Sequence, residues 1–303
     1  MTLPEAIYGR PAAELAAAGP EATQLSPLIP GATPIEHLAT GTLGRIVVAA
    51  PAGTLERRYV LAHALRALAP GGVLVALAPK DRGGSRLRKE MEAFGCAVQE
   101  TARRHQRLCV SPRPDPAVGL DAALDVGAPC FVETMGLWSQ PGVFSWDRLD
   151  PGSALLIDPA PDLAGRGADF GCGVGVLALA CLASPQVTDL TLIDIDRRAV
   201  EAAARNIDDP RATILQADLR DAPPDLSDLD FVIMNPAVHL AGGEDRGLGD
   251  AFVARAAKML RRGGLLRLVA NVALPYESYL ARDFSRTALV RRTGGYKVLE
   301  AIR

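Results

Sequence analysis

The sequence lacks the marks of several protein classes. Its five cysteines, Cys96, Cys109, Cys130, Cys172 and Cys181, include no Cys-x-x-Cys pair and no histidine at metal-ligand spacing, which argues against a zinc site. An odd, scattered set fits reduced thiols in a cytoplasm. No charged start runs into an apolar stretch, and no run of about 18 apolar residues occurs, so neither a signal peptide nor a membrane-spanning helix is expected. An excess charge of one sign is also missing: 33 basic and 35 acidic residues leave a net charge of -2. Without a global positive field, any contact with nucleic acid has to be local. Aromatics are only 5% of the chain, and abundant Ala, Gly and Pro say little about function.

What is present is enough for two domains. The chain has 303 residues, 49% of them hydrophobic and 22% charged, and each half can bury a core. Residues that break helices and strands concentrate at Ser111-Pro112-Arg113-Pro114-Asp115-Pro116 and again at Gly127-Ala128-Pro129. This predicts domains over 1-130 and 131-303. In the second, short apolar runs near 167–170, 190–193, 212–215, 230–234 and 265–269 alternate with helical patterns near 175–184, 196–207 and 248–261. Such alternation predicts an α/β fold, a parallel sheet with helices on both faces.

The two halves also look alike. Arg45-Ile46-Val47-Val48-Ala49-Ala50-Pro51 lies over Asp230-Phe231-Val232-Ile233-Met234-Asn235-Pro236, and Gly71-Gly72-Val73-Leu74 over Gly263-Gly264-Leu265-Leu266. A duplicated domain follows from this reading, although unrelated doubly wound domains share helix, Gly-Gly turn, strand segments. In this alignment the first copy has Ala50 opposite Asn235 and no glycine-rich turn before its strand. Chemistry is therefore expected in the second half.

There, Asp169-Phe170-Gly171-Cys172-Gly173-Val174-Gly175 falls where a first strand turns into a first helix. Glycines allow close backbone approach to a ligand and a positive φ. Asp194 ends the next strand, where a carboxylate accepts ribose hydroxyls. The spacing is Gly-x-Gly-x-Gly, not the dinucleotide Gly-x-Gly-x-x-Gly, since position 176 is Val. An acid directly before the turn opposes a pyrophosphate but suits a cationic amino-acid end. These residue types favour S-adenosylmethionine over a nicotinamide dinucleotide, with a ligand-free tight turn as the plain alternative. Asp218, after the third strand, is placed to accept from an adenine amine, though an Asp there is often a helix cap.

Asn235 and Pro236 follow the fourth strand, on the edge where open α/β sheets bind ligands. An exocyclic base amine is a poor nucleophile because its lone pair is delocalised into the ring. If the Asn235 side-chain carbonyl and the Pro236 backbone carbonyl each accept one N–H, the nitrogen is oriented with its lone pair toward a methyl donor. Positioning then supplies most of the rate. The alternative for Asn-Pro is turn initiation at a strand end.

Several further stretches go together with these: 140–145 (Gln-Pro-Gly-Val-Phe-Ser), Leu149-Asp150-Pro151-Gly152-Ser153, Thr191-Leu192-Ile193-Asp194, Asn235-Pro236 with His239, 263–271, Leu274-Pro275-Tyr276 and Gly294-Gly295-Tyr296-Lys297-Val298. Together they resemble the class I S-adenosylmethionine methyltransferases of the "methyltransferase small" group, especially the bacterial 16S ribosomal RNA guanine-N2 methyltransferases. The likeness is strong from about residue 140 onward and weak before. It implies two tandem Rossmann-like methyltransferase domains, the N-terminal one degenerate and concerned with RNA recognition. It further implies S-adenosylmethionine as cofactor, held by Asp169, Gly171, Gly173 and Asp194, with Asn235 and Pro236 orienting the amine; Cys172, Gly175 and Asp218 join the cofactor candidates from their places in the turn and after the third strand. Ribosomal RNA or the small ribosomal subunit is the implied partner, and no metal or membrane is implied.

The chain departs from the family pattern, Asn-Pro-Pro followed by an aromatic, at Ala237 and Val238. An aromatic there stacks on a flipped base, worth about 1–3 kcal/mol per base. Val238 can pack but not stack, so Phe144, Trp146 or His239 has to supply a platform, or another amine is taken, or activity has weakened. The other readings are a non-catalytic RNA-binding or ribosome-assembly protein, and a methyltransferase for a small molecule or protein amide.

Two basic clusters, Lys80, Arg82, Arg86, Arg88, Lys89 and Arg103, Arg104, His105, Arg107, lie in the first half. They are candidates for phosphate contacts or simply solvated faces.

Overall fold

The computed structural model describes residues 3–158, 162–221, 224–236, 239–240, 243–244 and 246–303. The chain divides into two compact units, Met1–Pro129 and Cys130–Arg303. Among the described residues no helix is long and apolar enough to cross a membrane.

In the first unit the chain forms β1 (Glu5–Tyr8), β2 (Thr23–Leu25), β3 (Leu43–Ala49), α1 (Thr54–Ala67), β4 (Leu68–Pro79), α2 (Ser85–Glu92), β5 (Gln99–Arg103), β6 (Gln106–Pro112) and α3 (Leu120–Gly127). Its sheet has the order β2-β1-β3-β4-β6-β5, parallel up to β4 and antiparallel at β6 and β5.

The second unit begins with a short hairpin, β7 (Cys130–Val132) and β8 (Leu137–Ser139), and α4 (Pro151–Ile157). It continues with β9 (Gly165–Phe170), α5 (Val176–Leu182), β10 (Val187–Asp194), α6 (Arg197–Asn206), β11 (Ala212–Gln216) and β12 (Leu229–Met234). Two-residue strands β13 (His239–Leu240) and β14 (Gly243–Glu244) precede α7 (Arg246–Met259), β15 (Leu260–Asn271), α8 (Tyr276–Asp283), β16 (Arg286–Thr293) and β17 (Tyr296–Ile302). The sheet order is β11-β10-β9-β12-β15-β17-β16, with only β17 and β16 joined antiparallel.

Both faces of this sheet are covered, which is why its strands read as near-continuous apolar runs. Val232, Met234, Leu266 and Leu268 pack with Val253 and Ala256 of α7 and Leu280 of α8. Phe231, Ile233, Leu190 and Leu192 pack on the other side with Leu177 and Cys181 of α5 and Leu156 of α4. Strand order reverses at β9, whose neighbours β10 and β12 lead to opposite halves of the sheet. Asp169 and Gly171, Asp194 and Asn235 therefore meet at the carboxyl ends of three adjacent strands, the crevice where open α/β sheets take ligands.

Strand for strand, β2-β1-β3-β4-β6-β5 repeats β10-β9-β12-β15-β17-β16, and the first sheet has no counterpart of β11 among the described residues. Even an irregularity is shared. Leu43 faces Leu68 and then Arg45 faces Val73, just as Leu229 faces Leu260 and then Phe231 faces Leu265. At each break a glycine with φ near +78°, Gly71 or Gly263, precedes one crowded by two carbonyls. A Cβ on Gly72 would lie 2.9 Å from the Leu43 oxygen and 3.0 Å from that of Ala69; on Gly264 it would lie 3.0 Å from the oxygens of Leu229 and Arg261. This register corrects the sequence alignment by one residue: Arg45 matches Phe231, so Ala49, not Ala50, stands at Asn235. A one-residue shift moves every side chain to the other face, and the apolar residues of both strands tolerate either reading by eye.

Candidate active site

β9 delivers Asp169 and Phe170 to the crevice, both fully buried. Neither Asp169 carboxylate oxygen has a hydrogen-bond partner among the described residues. Burial, and secondly the charge of Asp194, pushes its pKa up to about 8. A buried, unpartnered acid is costly unless something supplies positive charge and donors.

The turn that follows is built from positive-φ glycines, Gly171 at +70°, Gly173 at +53° and Gly175 at +93°. The Gly171 and Cys172 N–H groups donate to the Ile193 carbonyl at 2.8 and 3.1 Å, tying the turn to β10. A Cβ on Gly173 would meet nothing within 4 Å, so this glycine faces open space and offers its backbone to a ligand. Gly175 differs: a Cβ there would come 2.8 Å from Ile207 Cδ1, so it serves the packing of α5 on α6. Cys172 is buried with its thiol pushed well up by burial and by the charges of Asp194 and Asp169. Its carbonyl accepts the Gly175 N–H at 2.9 Å, so both of its backbone groups are engaged within the turn.

Asp194 ends β10. Its Oδ2 accepts the Gly173 N–H at 2.9 Å and its Oδ1 the Asp196 N–H at 2.8 Å. Burial pushes its pKa up to about 6, with those amides, and that of Ile195, pulling the other way. Each oxygen keeps a second lone pair, enough for two ribose hydroxyls. Asp218 follows β11, and Arg220 engages it at Oδ1 (Nε, 2.9 Å) and Oδ2 (2.6 Å).

Asn235 leaves β12 with its amide nitrogen fully used. Nδ2 donates to Asp150 Oδ2 at 2.8 Å and to Ser153 Oγ at 2.9 Å. Oδ1 accepts no hydrogen bond among the described residues. Pro236 is buried beside it. Val238 lies outside the described residues, and His239 is placed only through its backbone, paired with Glu244. Phe144 is 59% exposed. Trp146 packs, partly buried, with Val143, Val174 and Val176, next to the glycine turn.

Two features escaped sequence reasoning. The β7–β8 hairpin is fastened by Asn206, which accepts from the Trp138 N–H at 2.7 Å and donates at 2.9 Å to the carbonyls of Trp138 and Val174, the latter inside the glycine turn. No local pattern announces this. The other is the pairing of Asp150 with Asn235. Asp150-Pro151 at a helix start reads only as a cap with proline at the first position.

Unit 1 shows what loss of such a site looks like. Tyr8 pairs with Leu25 and Val48 as Phe170 pairs with Ile193 and Met234. Gly9 thus stands at Gly171, with φ +73° and its N–H on the Leu25 carbonyl at 2.8 Å, so one glycine of the turn persists where the sequence alignment found none. Around it, Ile7 replaces Asp169, Pro11 replaces Gly173, Ser26 replaces Asp194 and Ala49 replaces Asn235. Ser26 Oγ still accepts the Leu28 N–H at 3.0 Å, as Asp194 accepts that of Asp196. The backbone frame has survived and the charges have gone. The two basic clusters of this unit are brought side by side, since the Lys80 N–H donates to the His105 carbonyl at 3.0 Å. Arg88, Arg104 and Arg107 pair with Glu92, Glu14 and Glu100, whereas Lys80, Arg82, Arg86, Lys89 and Arg103 form no ion pair among the described residues.

A seven-stranded sheet of this order, with an acidic glycine turn, a second-strand acid and Asn-Pro on the fourth strand, defines a nucleoside-binding methyltransferase fold. Residues 134–300 match the family model "Methyltransferase small domain". The chain is 32% identical to the Ribosomal RNA small subunit methyltransferase C of Pseudomonas paraeruginosa over 99% of this chain and 95% of the relative. With the protein of that name from Salmonella gallinarum it shares 31% identity over 83% of this chain and 73% of the relative. Among solved structures it resembles the T. thermophilus 16S rRNA N2 G1207 methyltransferase (RsmC) in complex with AdoMet and guanosine. There the TM-score is 0.81 at 25% identity, covering 99% of this chain and 88% of that one. The chain belongs to the methyltransferase small family.

Proposed function

We propose that this protein transfers a methyl group from S-adenosylmethionine to an exocyclic amine of an RNA base, guanine N2 of small-subunit ribosomal RNA. The observation that carries the reading is the Asn235 amide, turned so that its carbonyl oxygen is the acceptor left at the carboxyl edge of the sheet. The names of the relatives and the guanosine in the similar structure support the choice of amine.

The residues present fit the donor. Asp169, buried without a hydrogen-bond partner among the described residues, suits the cationic amino-acid end, the Gly171–Gly173 backbone suits close approach, and Asp194 suits the ribose. When bound, S-adenosylmethionine supplies an electrophilic methyl group on a sulfonium. Asn235 Oδ1 and the Pro236 carbonyl accept the two N–H groups of the base amine and hold its lone pair on line with that methyl. Placement of this kind supplies most of the rate, so no strong base is needed: as the N–C bond forms the S–C bond breaks to leave a neutral thioether, and the methylated amine, made acidic, loses its proton to water. Phe144, Trp146 or His239 supplies the platform for the base. Unit 1, with its charges at the equivalent site replaced, contributes its joined basic patch to RNA contact. The free cysteines match an enzyme of the cytoplasm.

The test is transfer of labelled methyl from S-adenosylmethionine to small subunits and naked ribosomal RNA lacking the modification, with Asn235→Ala beside the parent. Methylguanine from the parent and its loss in the variant is the expected result. Tight donor binding with no transfer to either RNA would sink the substrate and redirect the search to other amines.

A further inference from the structure

The stretch Leu149-Asp150-Pro151-Gly152-Ser153 takes no part in the proposed chemistry, yet it touches the one side chain on which that chemistry turns. We infer that Asp150, assisted by Ser153, is the positioning residue that orients the Asn235 amide for the substrate amine. The inference rests on the proposed amine transfer and adds to it the group that sets its geometry.

An asparagine amide has two faces of opposite character, and rotation about its last bond exchanges them. At Asn235 the choice is made by chemistry. Asp150 Oδ2, 2.8 Å from Nδ2, belongs to a carboxylate, which accepts and does not donate when ionised. Turning the amide over would set Oδ1 against that carboxylate oxygen, two acceptors at contact distance. Ser153 Oγ takes the second amide proton at 2.9 Å, so both donors are spent. A hydrogen bond from an amide to an ionised acceptor is stronger than a neutral one, and it polarises the amide toward a more negative carbonyl oxygen.

Asp150 is itself fixed by the start of α4. Its Oδ2 also accepts the Ser153 N–H at 2.8 Å as the cap of α4, and Pro151 occupies the first helical position. Gly152 leaves room for the Tyr296 ring: a Cβ there would fall 2.9 Å from Asp150 Oδ2 and 3.0 Å from the ring. Lys297, next to Tyr296, is buried and donates to the Leu274 carbonyl at 2.7 Å and the Glu277 carboxylate at 2.6 Å. Asp150 and Ser153 thus support the Asn235 amide, and the Tyr296 ring packs on the Gly152 between them. Asp150 acts through Asn235 and is not itself placed against the substrate.

Two substitutions separate this role from helix capping. Asp150→Ser keeps a strong N-cap but is too short to reach Asn235, while Asp150→Asn keeps cap and shape and loses the charge. Single-turnover methyl transfer to unmodified small subunits is measured beside donor affinity and melting temperature. Asp150→Ser is expected to lower the transfer rate on the order of a hundredfold, as a misplaced group does, with KM for RNA and donor affinity within about twofold and Asp150→Asn in between. In an Asn235→Ala background Asp150→Ser should add no further loss. A folded Asp150→Ser at the parent rate, with Asn235→Ala inactive, overturns the inference and leaves the proposed function standing. If the parent itself transfers nothing to RNA, the proposed function fails first. The inference is then decided by nitrogen-edited NMR of the Asn235 side-chain amide, assigned by its loss in Asn235→Ala. Slow hydrogen exchange that disappears in Asp150→Ser supports it, and unchanged exchange overturns it.

Discussion

The Asp194 carboxylate accepts the Gly173 N–H at 2.9 Å, so the acid suited to the ribose also shapes the turn that approaches the donor. In the proposed donor site, binding and turn geometry are therefore coupled through one side chain. Asp194→Ala removes both the ribose acceptors and this tether. At about 1.5–3 kcal/mol for each charge-assisted hydrogen bond, calorimetry should show donor affinity reduced at least tenfold.

Asp169 predicts a pH dependence of donor binding. Its pKa stands near 8 in the ligand-free protein, and a cationic ligand favours the ionised form. Binding should release a proton, and affinity should rise between pH 6 and 8. Calorimetry in buffers of different ionisation enthalpy reads the proton directly; no buffer dependence would contradict the assignment.

The same residue predicts a stability effect of defined sign. Burial raises the folded pKa from the ordinary 3.8 to about 8, so the fold prefers the protonated form. Its contribution is complete below pH 3.8 and is lost as pH rises through 8. Asp169→Asn should melt higher than the parent at pH 9 without ligand and bind donor poorly. Melting curves at pH 6 and 9 check this, the gap being wider at pH 9.

In unit 1, Arg57 is fully buried and forks onto Glu90 at 2.5 and 2.6 Å, while its remaining nitrogen donates to the Pro51 and Ala52 carbonyls at 2.9 and 2.7 Å. On the corrected register Pro51 and Ala52 occupy the sequence positions of Ala237 and Val238 in the second unit. The degenerate copy has locked this loop onto an ion pair. Arg57→Ala leaves a buried carboxylate unpaired and should cost about 3–5 kcal/mol. Urea unfolding of the parent and variant measures the loss.

The joined basic patch predicts a salt effect on RNA affinity. Lys80→Ala and Arg103→Ala should each weaken binding of small-subunit RNA and reduce the slope of log affinity against log salt by about 1 for each phosphate no longer neutralised. An unchanged slope for both would mean that these side chains only solvate the surface.

How much of this was legible beforehand depended on whether the signal was local. Asp169 to Gly175 could be read because turn, strand end and helix start lie within a few residues, and each constrains residue type. Strands β9, β10 and β12 could be read because burial on both faces leaves an unbroken apolar run. β16 could not: all eight of its residues are exposed, so no alternation marks it.

The duplication was visible as similar segments, but its register was not, because strings of Val, Ile and Ala slide past one another without penalty. Backbone pairing and the crowded Gly72 and Gly264 decided it. Likewise the basic residues at 80–89 and 103–107 were visible as two clusters, and only the pairing of Pro79 with Gln106 made them one.

The sequence by itself determined the α/β class, the acidic glycine turn and the Asn-Pro edge, since helix and strand periodicity and turn chemistry are written over neighbouring residues. Tertiary structure alone decided that Asp150 meets Asn235, 85 positions away, and that Tyr296 packs on Gly152 in the same stretch as Asp150. Those meetings follow from the order of strands in the sheet. Strand order is set by the packing of whole layers, and no local periodicity records it.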